Sequence, residues 1–291
     1  MNNASTGKDK IKLIECPRDA MQGWPHFIPT QKKIEYINAL LKVGFDTIDF
    51  GSFVSPKAIP QMADTKEVIA KIKIENTKTK LLAIVANERG AEDAVFFDEI
   101  SYLGFPFSVS ETFQKRNTNS TIAESFNRAE EIQNLCIKNK KELVVYISMG
   151  FGNPYADVYD EAIVFNWVNK MAAIDVKIIS LADTVGLATA EQVKNVTKYL
   201  VDLLPGIEIG VHLHSTANNR QAKIEAALEA GCKRFDGALK GIGGCPMAAD
   251  ELVGNMDTEL MIKYFSEKDL LHNLDMEALQ HCSRMATEIF I

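Results

Sequence analysis

The sequence has little cysteine, no long apolar run and no cluster of basic residues. Its five cysteines are far apart and include no CxxC pair: Cys16, Cys136, Cys232, Cys245 and Cys282. This usage fits a reducing cytoplasm and argues against a disulfide framework or a structural zinc site. The start, MNNASTGKDK, lacks the apolar segment of a secretory signal, and we expect residues 1–10 to be disordered.

The lack of long apolar runs and of basic clusters argues against a membrane span and against a nucleic-acid partner. Without a stretch of about 18 consecutive apolar residues, we expect no membrane span. The net charge is −7, and no basic run offers a footprint for a phosphate backbone, so we expect no nucleic-acid partner. What is present is an ordinary globular composition, 46% hydrophobic and 24% charged, which is enough to bury a large core.

Short runs rich in isoleucine and valine alternate with longer segments of helical period. We predict eight strands, at residues 11–15, 45–50, 80–86, 99–108, 142–149, 176–182, 207–213 and 233–239. Between them we predict helices, such as one that begins near Pro60 and carries Val68, Ile69 and Ile72, and one over 121–139 with apolar residues three or four apart. This alternation favours parallel pairing of the strands with right-handed crossovers.

Eight such units within 291 residues match an α/β fold of the (β/α)8 TIM-barrel type, which usually takes about 250 residues. A doubly wound open sheet is the alternative, although no G-x-G-x-x-G follows the first strand. The length would also allow two smaller domains, but no linker divides the chain. We therefore predict a single catalytic domain over residues 1–291, with its active site at the carboxyl ends of the strands.

The seventh predicted strand ends in GVHLHST, which places His212 and His214 two residues apart. Side chains at this spacing project from the same face of a strand, with Cα atoms about 7 Å apart. Both imidazoles can therefore bind one ion or one substrate oxygen. Taken alone, the pair is equally well interpreted as two hydrated polar residues at a strand end.

Polar side chains follow at least six of the predicted strands, at the same rim. They are Glu15, Arg18, Asp19, Gln22, Asp49, Ser52, Ser55, Lys57, Ser108, Ser110, Glu111, Lys115, Asn117, Asp183, Thr184 and Asn255, besides the two histidines. Each one alone is typical of a solvated loop or a helix N-cap, as Ser110 and Thr184 could be. Their joint occurrence indicates a functional site.

Four of these side chains form a plausible metal site: Asp19, His212, His214 and Asn255. They offer two oxygens and two imidazole nitrogens and leave two positions of an octahedron open. Oxygen ligands suit Mg²⁺ or Mn²⁺, while imidazole shifts the preference toward Mn²⁺, Co²⁺ or Zn²⁺. Such an ion would bind adjacent substrate oxygens and lower the pKa of a substrate hydroxyl.

Two further residues are candidates for catalysis. Arg18, next to Asp19, would be a fixed cation at a developing oxyanion; its alternative role is an ion pair with a carboxylate of the rim. Cys245 lies in GIGGCP, whose three glycines are typical of a pliable lid loop. A thiol near a cationic site can act as an acid or base near neutrality, and the alternative is a structural cysteine.

At these residues the sequence resembles the 3-hydroxy-3-methylglutaryl-CoA lyase family, within the wider group of metal-dependent lyases and synthases on the same barrel. The resemblance covers roughly residues 11 to 270. It rests on ECPRDAMQ, GSFVSPKAIPQM, FQKRN, LADTVG, VHLH, GIGGCP and the GN of GNMDTE. GSFVSPK with PQM is fairly specific to the lyase family, whereas RD with HxH is shared by the wider group.

The resemblance implies cleavage of 3-hydroxy-3-methylglutaryl-CoA to acetyl-CoA and acetoacetate with Mg²⁺ or Mn²⁺. It implies that the metal ligands are Asp19, His212, His214 and Asn255, and that one histidine assists proton transfer. It also implies that Arg18 stabilises the enolate, that Cys245 is the cysteine of the mobile loop and that the protein is a homodimer. Asp49 falls where the family has a catalytic-site glutamate.

The sequence departs from the family pattern at several positions. Asp49 is one methylene shorter than the usual glutamate, so we expect its contact to move or to pass through water. Ser215 replaces an aspartate after HxH, and Lys240 and Met247 flank the loop cysteine. ECPRDA is also one residue shorter than usual, with Ala20 for glycine. These changes bear on the identity of the substrate more than on the type of reaction.

Three alternatives remain open at this point. The chain could be a related Claisen synthase or an aldolase for a 2-oxo acid or another acyl-CoA, or it could bind an acyl-CoA without turnover. GIGGCP and SFVSPK favour the lyase over the synthases, and the intact ligand set argues against a silent barrel. Lys57, Lys115 and Arg116 are candidates for binding coenzyme A by charge and rim position alone.

Overall fold

In the computed structural model, which describes residues 10–244 and 253–291, eight parallel strands pair in chain order and close into a barrel. The TIM-barrel prediction is therefore confirmed. Every predicted strand is present with small shifts at its ends. The strands are β1 Lys12–Glu15, β2 Thr47–Ser52, β3 Lys80–Ile84, β4 Ile100–Ser108, β5 Glu142–Ser148, β6 Ile178–Asp183, β7 Glu208–Leu213 and β8 Arg234–Gly237.

Helices surround the barrel. They are α1 Pro17–Gln22, α2 Thr30–Leu40, α3 Thr65–Ile69, α4 Glu88–Val95, α5 Glu111–Thr118, α6 Ile122–Lys138, α7 Glu161–Ala173, α8 Ala190–Leu203, α9 Arg220–Glu229, α10 Thr258–Glu267 and α11 Met276–Ile289. Short 3₁₀ helices lie at Pro60–Met62 and Leu239–Gly241. None of the helices in the two described ranges is long and apolar enough to cross a membrane.

Local signals explain where the helices begin. The predicted helix 121–139 is α6, which starts at a capping box: Thr121 Oγ1 accepts from Glu124 N at 3.2 Å, and Thr121 N donates to the Glu124 carboxylate at 2.8 Å. The helix predicted to start near Pro60 is interrupted. Thr65 Oγ1 donates to Met62 O at 2.9 Å, so this carbonyl has a side-chain partner, and α3 begins only at Thr65.

The core has an outer and an inner part because side chains alternate along each strand. Outward side chains such as Leu103, Phe105 and Phe107 pack against the helices. A second cluster fills the barrel, formed by Leu82, Tyr102, Val144, Tyr146 and Ile178. Near its amino end the fully buried Arg234 reaches Glu208 at 3.3 Å. The barrel is thus packed, and space for a substrate remains at the carboxyl rim.

Glu15, expected at the active-site rim, faces the surrounding helices instead. It is fully buried, and its carboxyl group accepts from Leu239 N at 2.9 Å and from Thr258 Oγ1 at 2.6 Å. Burial raises the pKa of Glu15 to about 8, and the two hydrogen bonds offset this only in part. After Gly237 the backbone N–H groups have partners outside the barrel ladder, because Ala238 N donates to Met256 O at 2.9 Å and Leu239 N to Glu15, and β8 therefore ends at Gly237 rather than at residue 239.

This raised pKa predicts a pH-dependent stability. The folded protein holds the Glu15 proton more tightly than the unfolded chain does. The protonated carboxyl group therefore contributes its full stabilisation below the ordinary pKa of 4.5, and this stabilisation is lost as pH rises through about 8. One pKa unit corresponds to about 1.4 kcal/mol. From pH 5 to 8.5 we expect the free energy of unfolding to fall by a few kcal/mol relative to that of Glu15→Gln. Urea titrations of both proteins measure this, and parallel pH curves would contradict it.

Candidate active site

Three charged groups meet where β1 and β2 end. Pro17 occupies the first turn of α1, where its missing N–H needs no partner, and the helix thereby presents Arg18 and Asp19 over the barrel. Arg18 Nε lies 3.2 and 3.1 Å from the two carboxylate oxygens of Asp49, and Nη2 donates to the same group. Nη1 donates to Asp19 Oδ1 at 2.9 Å. The shorter Asp49 therefore reaches Arg18 directly.

His212 of β7 and His214, just after the end of β7, converge on Asp19. One possible ligand atom from each of Asp19, His212 and His214 lies within 4.8 Å of the others, and all three side chains are buried. His212 Nδ1 contacts Asp236 at 3.2 Å, and His214 Nδ1 contacts Val253 O at 2.9 Å. Hydrogen bonds at Nδ1 favour the tautomer in which Nε2 is the metal-binding nitrogen.

Asn255 completes this cluster from the segment that precedes α10. Residue 255 forms an antiparallel bridge with His214, and Met256 N donates to Leu213 O at 3.1 Å. The Asn255 amide nitrogen donates to Asp19 Oδ2 at 2.7 Å and to Ile242 O at 2.9 Å. Its carbonyl oxygen is buried and has no hydrogen-bond partner in the described ranges. Such an oxygen is suited to accept a cation.

Gly243 brings the backbone of the glycine-rich segment against this cluster. Its φ is +101°, and a Cβ atom placed there would lie 2.7 Å from Asn255 Nδ2 and 2.8 Å from Asp19 O. No side chain fits at this position. The glycines of GIGG thus permit the close approach that the sequence suggests, here to two predicted ligands.

Burial and neighbouring charges shift the pKa values of the titratable groups in and around the cluster. Burial raises the pKa of Asp49 to about 6, against the lowering effect of Arg18. Burial also acts on Asp19, but Arg18 and the two histidines outweigh it and lower its pKa to about 2. Burial and the neighbouring His212 lower the pKa of His214 to about 4. Near pH 7 Asp19 is an anion and His214 is neutral, the forms that bind metal.

A cavity of about 110 Å³ opens above these groups at the carboxyl rim. Its lining combines the predicted site with apolar walls: Arg18, Asp19, Gln22, Ile84, Pro106, Phe113, Asn117, Tyr146, Ser148, Ala182, Thr184, His212 and His214. A larger cleft, about 880 Å³, lies at the opposite end of the barrel. None of the predicted ligands or catalytic residues within 10–244 and 253–291 lines it, so the smaller cavity is the candidate site.

Several predicted rim residues have structural partners instead. Ser110 is the N-cap of α5, the alternative that the sequence allowed for it, and its hydroxyl oxygen accepts from Phe113 N at 3.1 Å. Asp183 forms a buried ion pair with Lys223. The two candidate coenzyme A cations of α5 also have neighbours, since Lys115 pairs with Glu111 and Arg116 lies over the Tyr155 ring.

The departures from the family pattern lie around the site. Ser215 points away from the predicted ligands, and its hydroxyl contacts Met256 Sδ at 3.7 Å. Lys240 points outward and donates to Ser283 Oγ of α11 at 2.9 Å. Cys245 and Met247 lie outside the described residues, as do residues 1–9, so the predictions made for them stay predictions.

Among the residues of the site that the sequence analysis missed, three contact the two histidines. Tyr146 lines the cavity, and its ring meets His212 edge-on at 5.7 Å between centroids. Asp236 contacts the ring of His212, and Lys223 donates to the backbone oxygen of His214. Two signals in the sequence could have indicated them. Asp236 is a charged residue inside the short strand RFDG, and Lys223 lies on the same face of α9 as its buried apolar residues.

Comparison with known proteins finds relatives that match nearly the whole chain. The chain is 32% identical over 280 residues to a hydroxymethylglutaryl-CoA lyase of Bacillus subtilis, covering 96% of this chain and 93% of that protein. It is 31% identical over 282 residues to (R)-citramalyl-CoA lyase of Chloroflexus aurantiacus, covering 93% and 88% of the two chains.

The same family is found among solved structures. An HMG-CoA lyase from Acinetobacter baumannii, in complex with coenzyme A and 3-methylmalate, superimposes with a TM-score of 0.89 at 33% identity, covering 100% of this chain and 93% of that chain. The HMGL-like family model matches residues 10–286. With nearly the whole chain matched, the protein belongs to the HMGL-like family of metal-dependent TIM-barrel enzymes.

Proposed function

We propose that the protein is a divalent-metal-dependent carbon–carbon lyase that cleaves 3-hydroxy-3-methylglutaryl-CoA to acetyl-CoA and acetoacetate. The observation that carries this proposal is the convergence of two groups at one cavity. One is the arginine–carboxylate pair Arg18–Asp49, and the other is the cluster of Asp19, His212, His214 and Asn255. The names of its relatives support the same substrate.

The residues of the cluster fit a metal ion. Two buried imidazoles, one carboxylate and one amide oxygen without a partner are a donor set for Mn²⁺ or Mg²⁺. Asp19, His212, His214 and Asn255 would hold the ion. When bound, it supplies Lewis acidity that lowers the pKa of the substrate hydroxyl and orients adjacent oxygens.

Arg18 is proposed to stabilise the negative charge that develops on the thioester oxygen. The guanidinium is buried and held by Asp49 on one edge and Asp19 on the other. A donor fixed in this way needs no reorganisation when the C2–C3 bond breaks and its electrons enter the thioester enolate. Asp49 acts here by positioning Arg18.

Proton transfers complete the proposed reaction. A base of the site takes the proton of the C3 hydroxyl, and the hydroxyl carbon becomes the ketone of acetoacetate. His212, whose ring is oriented at Nδ1 by Asp236, would contribute as a ligand of the ion. An acid then protonates the enolate carbon to give acetyl-CoA, and we assign this step to Cys245. The apolar walls Ile84, Pro106 and Phe113 limit the access of water to the carbanion.

The experiment that tests the proposal is an assay of acetoacetate release by the purified protein. With 3-hydroxy-3-methylglutaryl-CoA and Mn²⁺ we expect turnover, with excess EDTA its loss, and with added Mn²⁺ its return. The EDTA-treated protein should keep its circular dichroism spectrum, because the apolar core that packs the strands against the helices contains none of the four predicted ligands. Turnover that is indifferent to EDTA would exclude the metal mechanism.

A second candidate substrate is citramalyl-CoA, because one relative is named (R)-citramalyl-CoA lyase. Retro-Claisen cleavage of that thioester also yields acetyl-CoA, with pyruvate as the ketone product. The same assay with pyruvate detection separates the two substrates. If Mn²⁺ binds but neither thioester is cleaved, an aldolase or synthase activity on a 2-oxo acid, or a silent acyl-CoA-binding barrel, becomes the better interpretation.

We also propose that residues 1–291 form one catalytic domain and that the protein is a cytoplasmic homodimer. The alternation of strands and helices around one barrel, over residues 10–244 and 253–291, supports the single domain. Four buried, unpaired cysteines, Cys16, Cys136, Cys232 and Cys282, support a reducing compartment. The homodimer is supported by the family resemblance.

A further inference from the structure

His214 lies just beyond the ladder that holds β7 in the barrel. The last paired residues are Leu213, opposite Asp183 of β6, and His212, opposite Asp236 of β8. The backbone of His214 bridges only to Asn255 among the described residues, and that residue is itself a predicted ligand. Something other than sheet pairing must therefore fix this histidine.

Lys223 of α9 meets this need. Its ammonium group donates to the backbone oxygen of His214 at 2.9 Å. It also reaches Asp183 Oδ2 at 2.6 Å and Gly186 O at 3.2 Å. The lysine side chain is 1% exposed. A buried ammonium with three oxygen partners is fully satisfied, because Lys has three donors.

The partners of Lys223 also reach the ring of His214. Gly186, whose oxygen Lys223 holds, packs against Val253: a Cβ atom there would lie 2.7 Å from Val253 Cγ1. Val253 O in turn contacts His214 Nδ1 at 2.9 Å. Asp183, the counter-charge, accepts from Ala188 N at 3.1 Å, which fixes the loop after β6. One cation thus ties together three segments around His214.

We propose that Lys223 is a positioning residue that holds His214 in the orientation required for metal binding. This inference rests on the proposed metal centre and adds a residue outside it. Loss of the ammonium leaves the His214 carbonyl without its donor and loosens the loop that carries Gly186. Partners that orient a ligand typically contribute about 10- to 100-fold to metal affinity.

Three variants test this role. Lys223→Met removes the ammonium, and the double variant Asp183→Asn with Lys223→Met also avoids an unpaired buried carboxylate. The matched control is Lys33→Met. Lys33 is 2% exposed, pairs with Asp64 at 2.8 Å and donates to Gln61 O, so it is the same kind of buried lysine but contacts no predicted ligand.

Two readouts are measured on each protein. The first is Mn²⁺ affinity by calorimetric titration, for which we expect about 10- to 100-fold weaker binding in both Lys223 variants and no change in Lys33→Met. The second is the spectrum of metal-free protein labelled with ¹⁵N-histidine. With only five histidines in the chain, shifts confined to His214 and its neighbour His212 are expected in the Lys223 variants alone.

The outcomes separate this inference from the proposed function. Wild-type affinity for Mn²⁺ in both Lys223 variants would overturn the positioning role while the metal centre stands. Equal losses in the Lys223 variants and in Lys33→Met would also overturn it, because general destabilisation would then explain both. No Mn²⁺ binding by the wild type would overturn the metal centre and the role of Lys223 with it.

Discussion

Replacing Arg18 by glutamine is expected to lower kcat by at least 10²-fold, the loss typical of one well-placed oxyanion donor. The fold should survive this change. Asp49 loses its counter-ion, but burial already raises its pKa to about 6, so it can become protonated and neutral. Asp19 keeps its hydrogen bonds from Gln22 and Asn255. We therefore expect kcat to fall far more than the affinity for Mn²⁺.

Steady-state kinetics together with Mn²⁺ titration check this result. Arg128→Gln serves as the control, since Arg128 donates to the backbone of Thr118 and lies outside the cavity. It should leave both quantities unchanged. Arg18→Lys is expected to recover little activity, because an ammonium cannot reproduce the forked contacts to Asp49 and Asp19. Near-normal turnover by Arg18→Gln would remove Arg18 from the reaction.

Replacing Gly243 by alanine is expected to weaken Mn²⁺ binding and turnover together, each by 10-fold or more on the scale of lost supporting contacts. Two effects act at this residue. Its φ of +101° is unfavourable for alanine, and the added methyl would press on Asn255 Nδ2 and on the backbone of Asp19 and Ala20. Backbone atoms cannot move aside cheaply, so the displacement passes to Asn255 and Asp19, two predicted ligands.

Gly206→Ala is the matched control for this change. No atom of the residues that the structure describes lies within 4 Å of a Cβ added at Gly206, and its φ is not positive, so we expect unchanged metal affinity and turnover. If Gly243→Ala bound Mn²⁺ as tightly as the wild type, the close approach seen here would not matter for the ligands. Thermal unfolding of both variants separates loss of the site from loss of the fold.

The fold was predictable because the barrel repeats one local pattern eight times. Each strand is short and rich in branched apolar residues, and each helix has a buried stripe, so periodicity alone leads to parallel pairing. Errors occur where a side chain from a distant segment changes a local preference. Thr65 bonds to Met62 O and interrupts a helix, and Glu15 binds Leu239 N and ends a strand.

The site was predictable to the extent that its residues follow strands. Arg18, Asp19, Asp49, His212, His214 and Asn255 were all named from their position at strand ends, and the structure brings them together. Glu15 and Asp183, the last residues of β1 and β6, also stand at strand ends, but they face the helices. Side chains alternate between the two faces of a strand, so a shift of one residue turns a side chain to the other face. The sequence pattern does not specify this alternation where a strand ends.

The identity of the donors is thus a property of the chain alone: two imidazoles two residues apart, carboxylates after strands and a glycine segment before Asn255. Their surroundings are not. Three contacts join segments that are 9 to 31 residues apart. They are the contacts of Lys223 with the His214 oxygen, of Asp236 with His212 and of Arg18 with Asp49. Periodicity describes which face of an element is buried, whereas these contacts depend on the angle and register at which the elements pack. Closure of the barrel sets both, and with them the charge states and the orientation of the side chains at the rim.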